Sequence, residues 1–244
     1  MKNNILIIIL FLNFFLISLN VNGREQFNFS VTEIDVLENG NKFIGKDRGV
    51  ITSDDGIKIN ADKFEYNKKE NILKASGNVK IIDLPNNYEI YTQNITYKKN
   101  DNFIITNKKS KAIDLVNGIE IDADVFKYDV KENIITAENN AIITDNIQDY
   151  KISSDFISYL KNKKEIYTKG QTSAEIFSKY KLDSKNVTLL ISSMELYSKE
   201  KTRITDKLNL YVLEKFKYSI NKEELKGENI LINTNYNLPT NDKF

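Results

Sequence analysis

Histidine, cysteine and tryptophan are absent from this 244-residue chain, and proline occurs only twice. Without histidine there is no Ser-His-Asp or Cys-His relay and no imidazole ligand for a metal. Without cysteine no disulfide can staple the fold, so burial has to stabilise it. Neither sign of charge prevails: Lys+Arg total 35 and Asp+Glu 34. That balance leaves no broad positive field for nucleic acid. The glycine-rich nonapeptide of calcium-binding β-rolls is missing, and both prolines, Pro85 and Pro239, stand where loops are expected. No metal, nucleotide or organic cofactor is implied, and no segment supports an enzyme.

Long apolar runs are also lacking, with one exception. Lys2 is the only charge before Arg24, and Ile5 to Leu19 is almost continuously apolar. A positive start, a short apolar stretch and small residues near Asn22-Gly23 predict a signal peptide over residues 1–23. The stretch falls short of the roughly 20 apolar residues of a spanning helix. Residues 24–244 then read as one exported domain, with no Gly-, Pro- or Ser-rich linker dividing it.

What the body does contain is a ruler. Ile59, Ile90, Ile121 and Ile152 recur at intervals of 31 residues, and so do Tyr66, Tyr97, Tyr128 and Tyr159. Between them Ala61, Thr92, Ala123 and Ser154 are small, while Phe64, Ile95, Phe126 and Ile157 are large and apolar. Gly56 to Asp83 and Gly118 to Asp145 share 15 of 28 positions. A fixed period of this size marks stacked units that bury their apolar faces against one another. The pattern is clearest over 56–176, and its register is expected to decay after about residue 178.

Within a unit the period is two. Ile57, Ile59 and Ala61 alternate with Lys58 and Asn60, and Phe64 and Tyr66 alternate with Lys63 and Glu65. Such alternation predicts strands with one buried and one wet face. The parity flips between Ala61 and Phe64, which predicts a corner at Ala61-Asp62-Lys63. Asn67 to Asn71 reads as a tight connection and Gly77-Asn78 as a second turn. Asp62, Asp124 and Asp155 recur at the corner with Gln93 in the fourth place, and a repeated corner suits turn residues better than a unique catalytic pair. The lysine runs 108–111 and 161–164 read as solvated edges. The expected fold class is all-β: stacked antiparallel strands in a taco-like or jelly-roll solenoid.

The strings Ile59-Asn60-Ala61-Asp62-Lys63-Phe64-Glu65-Tyr66 and Asn71-Ile72-Leu73-Lys74-Ala75-Ser76-Gly77-Asn78-Val79 resemble the OstA-type repeat, as do Ile121 to Tyr128 and their continuation. That repeat is shared by the lipopolysaccharide-transport proteins LptA and LptC and the N-terminal domain of the outer-membrane translocon LptD. The resemblance covers about residues 50–176. The lead-in from Phe29 to Ile34 and the run from Thr205 to Tyr211 look most like the LptD domain. Full-length translocons carry cysteines and continue into a barrel, whereas this sequence has no cysteine and runs to Phe244, which leaves a truncated translocon and a freestanding bridge both open.

The resemblance implies a periplasmic, outer-membrane-associated protein that binds and relays lipopolysaccharide without covalent chemistry. Lipid A acyl chains would lie in a groove against Ile59, Phe64, Tyr66, Ile90, Ile95, Tyr97, Ile121, Phe126, Tyr128, Ile152, Ile157 and Tyr159. Terminal strands would pair with other Lpt-type bridge or translocon proteins by edge addition. A freestanding LptA-like bridge and a β-solenoid adhesin or scaffold stay open as alternatives. From the binary pattern alone, a filled core and an open groove look the same.

Overall fold

The structure is a computed structural model that describes residues 26–234. The predicted signal peptide and Pro239 lie outside the described residues. The 21 strand segments form a single antiparallel sheet. They make about fourteen passes, because half of the passes are interrupted midway and count as two segments. Ile57–Ala61 and Lys63–Asn67, for example, are one pass, and both pair with the uninterrupted strand Ile72–Asp83. Each pass bonds only to the passes before and after it, so the sheet is a meander. The 31-residue unit is therefore two passes and their connectors.

The interruption falls where the sequence parity flips. Ile57, Ile59 and Ala61 are buried, and so are Phe64 and Tyr66 beyond Asp62. To keep apolar residues inside on both sides of Asp62, the strand has to bend there. The Asp62 N–H donates to Gly77 O at 3.0 Å, and Asn78 Nδ2 donates to Asp62 Oδ2 at 2.8 Å. The same staple recurs four passes on, with Asp124 N–H to Asn139 O at 3.1 Å and Asn140 Nδ2 to Asp124 Oδ2 at 2.8 Å. Asp62 and Asp124 are thus corner residues, whereas Asp155 is exposed and Ser154 Oγ ties its corner to Lys169 O and Gln171 O.

Two expectations are corrected. Gly77-Asn78 is no chain reversal. It is a bulge within the continuous strand Ile72–Asp83, with φ of 78° and 47° and a register shift between Ser76 and Val79. Two residues at positive φ bend and twist a strand that stays paired on both flanks. Nor does the array decay after residue 178. The passes continue as 180–190, 195–205, 209–219 and 224–234. The period shortens because Phe177-Ser178-Lys179 and Asp206-Lys207-Leu208 are one residue shorter than Asp145's connector to Tyr150.

The staples align into a crease, and the sheet folds along it so that its two halves face each other. One cross-strand row of the inner face runs Tyr66, Leu73, Tyr97, Ile104, Tyr128, Ile135, Tyr159, Ile166, Leu189, Leu196, Tyr218. A parallel row of the other half runs Asp83, Tyr88, Asp114, Ile119, Asp145, Tyr150, Ile176. These rows lie at the two free lips of the fold, opposite the crease.

Candidate functional site

All twelve residues expected to line a groove lie on the inner face and belong to one core cluster. None is more than 7% exposed, and Tyr97, Tyr128 and Tyr159 are at 0%. They fill the interior as packed side chains, so the described structure holds no open trough along them. The tyrosine hydroxyls have a second role. Those of Tyr97, Tyr128 and Tyr159 each reach across the fold to a carboxylate on the opposite lip, whereas Tyr66 Oη donates to Asn71 Oδ1 at 3.0 Å.

Three such rungs recur with the repeat. Tyr97 Oη donates to Asp55 Oδ2 at 2.7 Å, and Lys99 Nζ adds Asp54 Oδ1 at 2.8 Å. Tyr128 Oη donates to Asp83 Oδ2 at 2.5 Å while accepting from Asn86 Nδ2 at 3.0 Å. Tyr159 Oη donates to Asp114 Oδ2 at 2.7 Å and accepts from Asn117 Nδ2 at 3.0 Å. Lys161 Nζ completes this third rung, donating to Asp114 Oδ1 at 2.9 Å and Asn86 O at 2.6 Å. The lysine run 161–164 is therefore not simply a solvated edge: the Lys161 side chain is 13% exposed. Its ammonium also sits 4.4 Å from the centre of the Tyr88 ring.

The electrostatics follow from this geometry. Burial pushes the Asp114 carboxyl up, but hydrogen bonds from Tyr159, Lys161 and Asn117 outweigh it and hold the group below its ordinary value. Asp55 is lowered likewise, with burial overcome by Lys99, Ser53 and Tyr97. Burial first, and then the facing carboxylates, raise Tyr97, Tyr128 and Tyr159 far above the usual phenol range. Each rung is a neutral phenol donating to a carboxylate anion, a charge-assisted bond.

The ladder then fails. In the next place of the tyrosine row stands Leu189, which cannot reach Asp145 with a hydrogen bond. Asp145 Oδ1 is satisfied within its own connector, by the N–H groups of Ile147 and Gln148 at 2.8 and 2.9 Å. In the place after that the tyrosine returns as Tyr218, but Ile176 occupies the acid position. Among the described residues the polar contact that spans the lips there is an ion pair between Lys179 and Glu223, each about half exposed, at 2.9 Å. The hydroxyls of Tyr150 and Tyr218 are buried without a hydrogen-bond partner, as is that of Tyr88.

Sequence reasoning found the tyrosine column and missed its partners. Asp83, Asp114 and Asp145 also recur at 31 residues. Read as unit ends, they gave no hint that they would meet a tyrosine 45 positions further on, as Asp83 meets Tyr128 and Asp114 meets Tyr159. Among the described residues no group of three or more acidic, histidine or cysteine side chains could hold a metal ion, and no helix is long and apolar enough to cross a membrane.

No protein-family model matches the sequence, and no curated protein matches it. Among solved structures the chain is similar to LptH of Pseudomonas aeruginosa, described as the LptA-homologous periplasmic component of the conserved lipopolysaccharide transport device. The superposition covers 47% of this chain and 93% of that one, at 12% identity and a TM-score of 0.42. At those values the likeness carries no argument about function. What stands on its own is a single antiparallel sheet folded on itself, with an apolar interior closed by polar rungs along part of its seam.

Proposed function

We propose that this chain is a non-enzymatic carrier in lipopolysaccharide transport, binding acyl chains inside the folded sheet and relaying them along its length. The observation that carries this reading is the inner face: the row from Tyr66 to Tyr218 is tyrosine, leucine or isoleucine at every pass, with buried serines, threonines and aspartates confined to neighbouring rows. The leader and the OstA-type strings add to it. The packed interior is compatible with a lipid track because side-chain hydrogen bonds, rather than strand pairing, join the lips. A neutral hydrogen bond contributes about 0.5–1.5 kcal/mol net and a charged one about 1.5–3. Parting a few rungs is thus within reach of acyl chains that replace apolar side-chain contacts with their own.

At finer grain we assign the chain to the role of the LptD N-terminal domain, close to the outer membrane, with a freestanding bridge as the alternative. Photocrosslinking tests the common part. A photoreactive residue in place of Phe126, which faces inward, should capture lipopolysaccharide, while one in place of Glu120 on the outer face should not. Silence at both positions in a folded protein would sink the carrier reading and leave a scaffold.

A further inference from the structure

The rungs that close the seam are not evenly distributed, and the gap has a defined chemistry. Passes lie about 4.8 Å apart, so rungs that recur every second pass are spaced about 10 Å along the lips. Between the Tyr159 rung and the surface pair Lys179–Glu223 the lips run about 19 Å, four strand spacings, with no polar crossing identified among the described residues. One lip presents Ile147, 75% exposed, above Asp145 and Tyr150. The other carries the half-buried Ile191, with Leu189 buried beneath it in the core. The apolar lips are accompanied by Tyr150 and Tyr218, two of the three buried phenols without a hydrogen-bond partner, the third being Tyr88 in the latched stretch. A buried hydroxyl without a partner costs about 1–3 kcal/mol, so this pair is a standing demand for an acceptor.

We propose that this unlatched stretch is the lateral portal through which a long acyl chain reaches the interior. The hydroxyls of Tyr150 and Tyr218 donate to the carbonyl oxygen of the chain's ester or amide linkage. The Tyr97, Tyr128 and Tyr159 rungs keep the rest of the seam shut, so the chain is admitted at one place. The inference rests on the carrier reading above and adds where loading occurs and which groups meet the polar end of the chain.

The probe is a lysophospholipid whose single acyl chain carries a diazirine, irradiated with the full chain and mapped by mass spectrometry. Labels should concentrate around Tyr150, Leu189, Ile191 and Tyr218. The double substitution Tyr150→Phe, Tyr218→Phe should weaken binding at least about 5-fold, the low end of what one hydrogen bond per phenol supplies. The outer-face substitution Tyr91→Phe should leave it unchanged. Leu189→Tyr restores a phenol opposite Asp145 and should slow labelling several-fold; should that variant not fold, the double phenylalanine variant decides. Labels spread evenly along the latched rungs, or unchanged affinity without the two hydroxyls, would overturn the portal while leaving the carrier reading intact. Absence of any label would overturn the carrier reading itself.

Discussion

A tyrosine that touches a carboxylate and a tyrosine that touches nothing polar are equally buried here, and they make opposite contributions. Tyr159 donates to Asp114 at 2.7 Å, and without it a buried anion loses a donor. Tyr159→Phe should destabilise the fold by about 1–3 kcal/mol in urea titrations. Tyr218→Phe removes a hydroxyl that has no partner and should change stability by less than about 0.5 kcal/mol, or raise it. Equal losses in both variants would refute the assignment of rungs.

The same groups set the dependence on pH. Asp55 and Asp114 have lowered pKa values in the fold, so the unfolded chain binds protons more readily. Their stabilisation is present above about pH 4 and lost as pH falls through the folded values. Tyr97, Tyr128 and Tyr159 are raised, so theirs is present below about pH 10 and lost as pH rises above it. The urea midpoint should form a plateau between these limits, and Tyr159→Phe should soften the alkaline fall. A wild-type midpoint that stays flat above about pH 10 would contradict the buried phenols.

At the scale of the strand, the crease is made by residues that tolerate positive φ, and the tolerance is local. Gly77 has φ +78°, and a Cβ there would meet Asp62 Oδ2 at 2.6 Å, the atom that staples the corner. Gly170 has φ +79° at its own bulge, with nothing within 4 Å of a Cβ. Gly170→Ala should cost about 1–2 kcal/mol for the left-handed backbone alone, and Gly77→Ala more, because it also displaces the staple. Comparison of thermal midpoints checks the order. A smaller effect at Gly77 would mean that the Asp62 staple contributes little. Asn139, at φ 63° in the corresponding bulge, shows why asparagine can take the same place.

Across the whole molecule, a meander has two edges. Among the described residues Phe27–Leu37 pairs only with Lys42–Ser53, and Leu231–Thr234 only with Asn209–Leu213. Ile34, Val36 and Leu37 are exposed on the first edge, and Leu231 and Ile232 on the last. Apolar edges with free backbone groups invite another strand. The chain should therefore associate with concentration in sedimentation velocity, and Ile232→Lys should weaken that association without unfolding the protein. A monomer at every concentration would argue against edge pairing between copies.

The sequence by itself determined the strands, the corner and the inner columns, because side-chain alternation and a fixed period are local properties of the chain. Ile57, Ile59 and Ala61 against Phe64 and Tyr66 announce the bend before any coordinates. Only the tertiary structure decided that Gly77-Asn78 bends a strand instead of reversing it, since a bulge and a turn use the same positive-φ residues and differ in what pairs on either side. Only the fold brought Tyr128 to Asp83 and Tyr159 to Asp114, and left Leu189 facing Asp145 without a bond. Those partners come from opposite halves of a folded sheet, and the folding of a sheet on itself joins residues whose spacing along the chain carries no local signature.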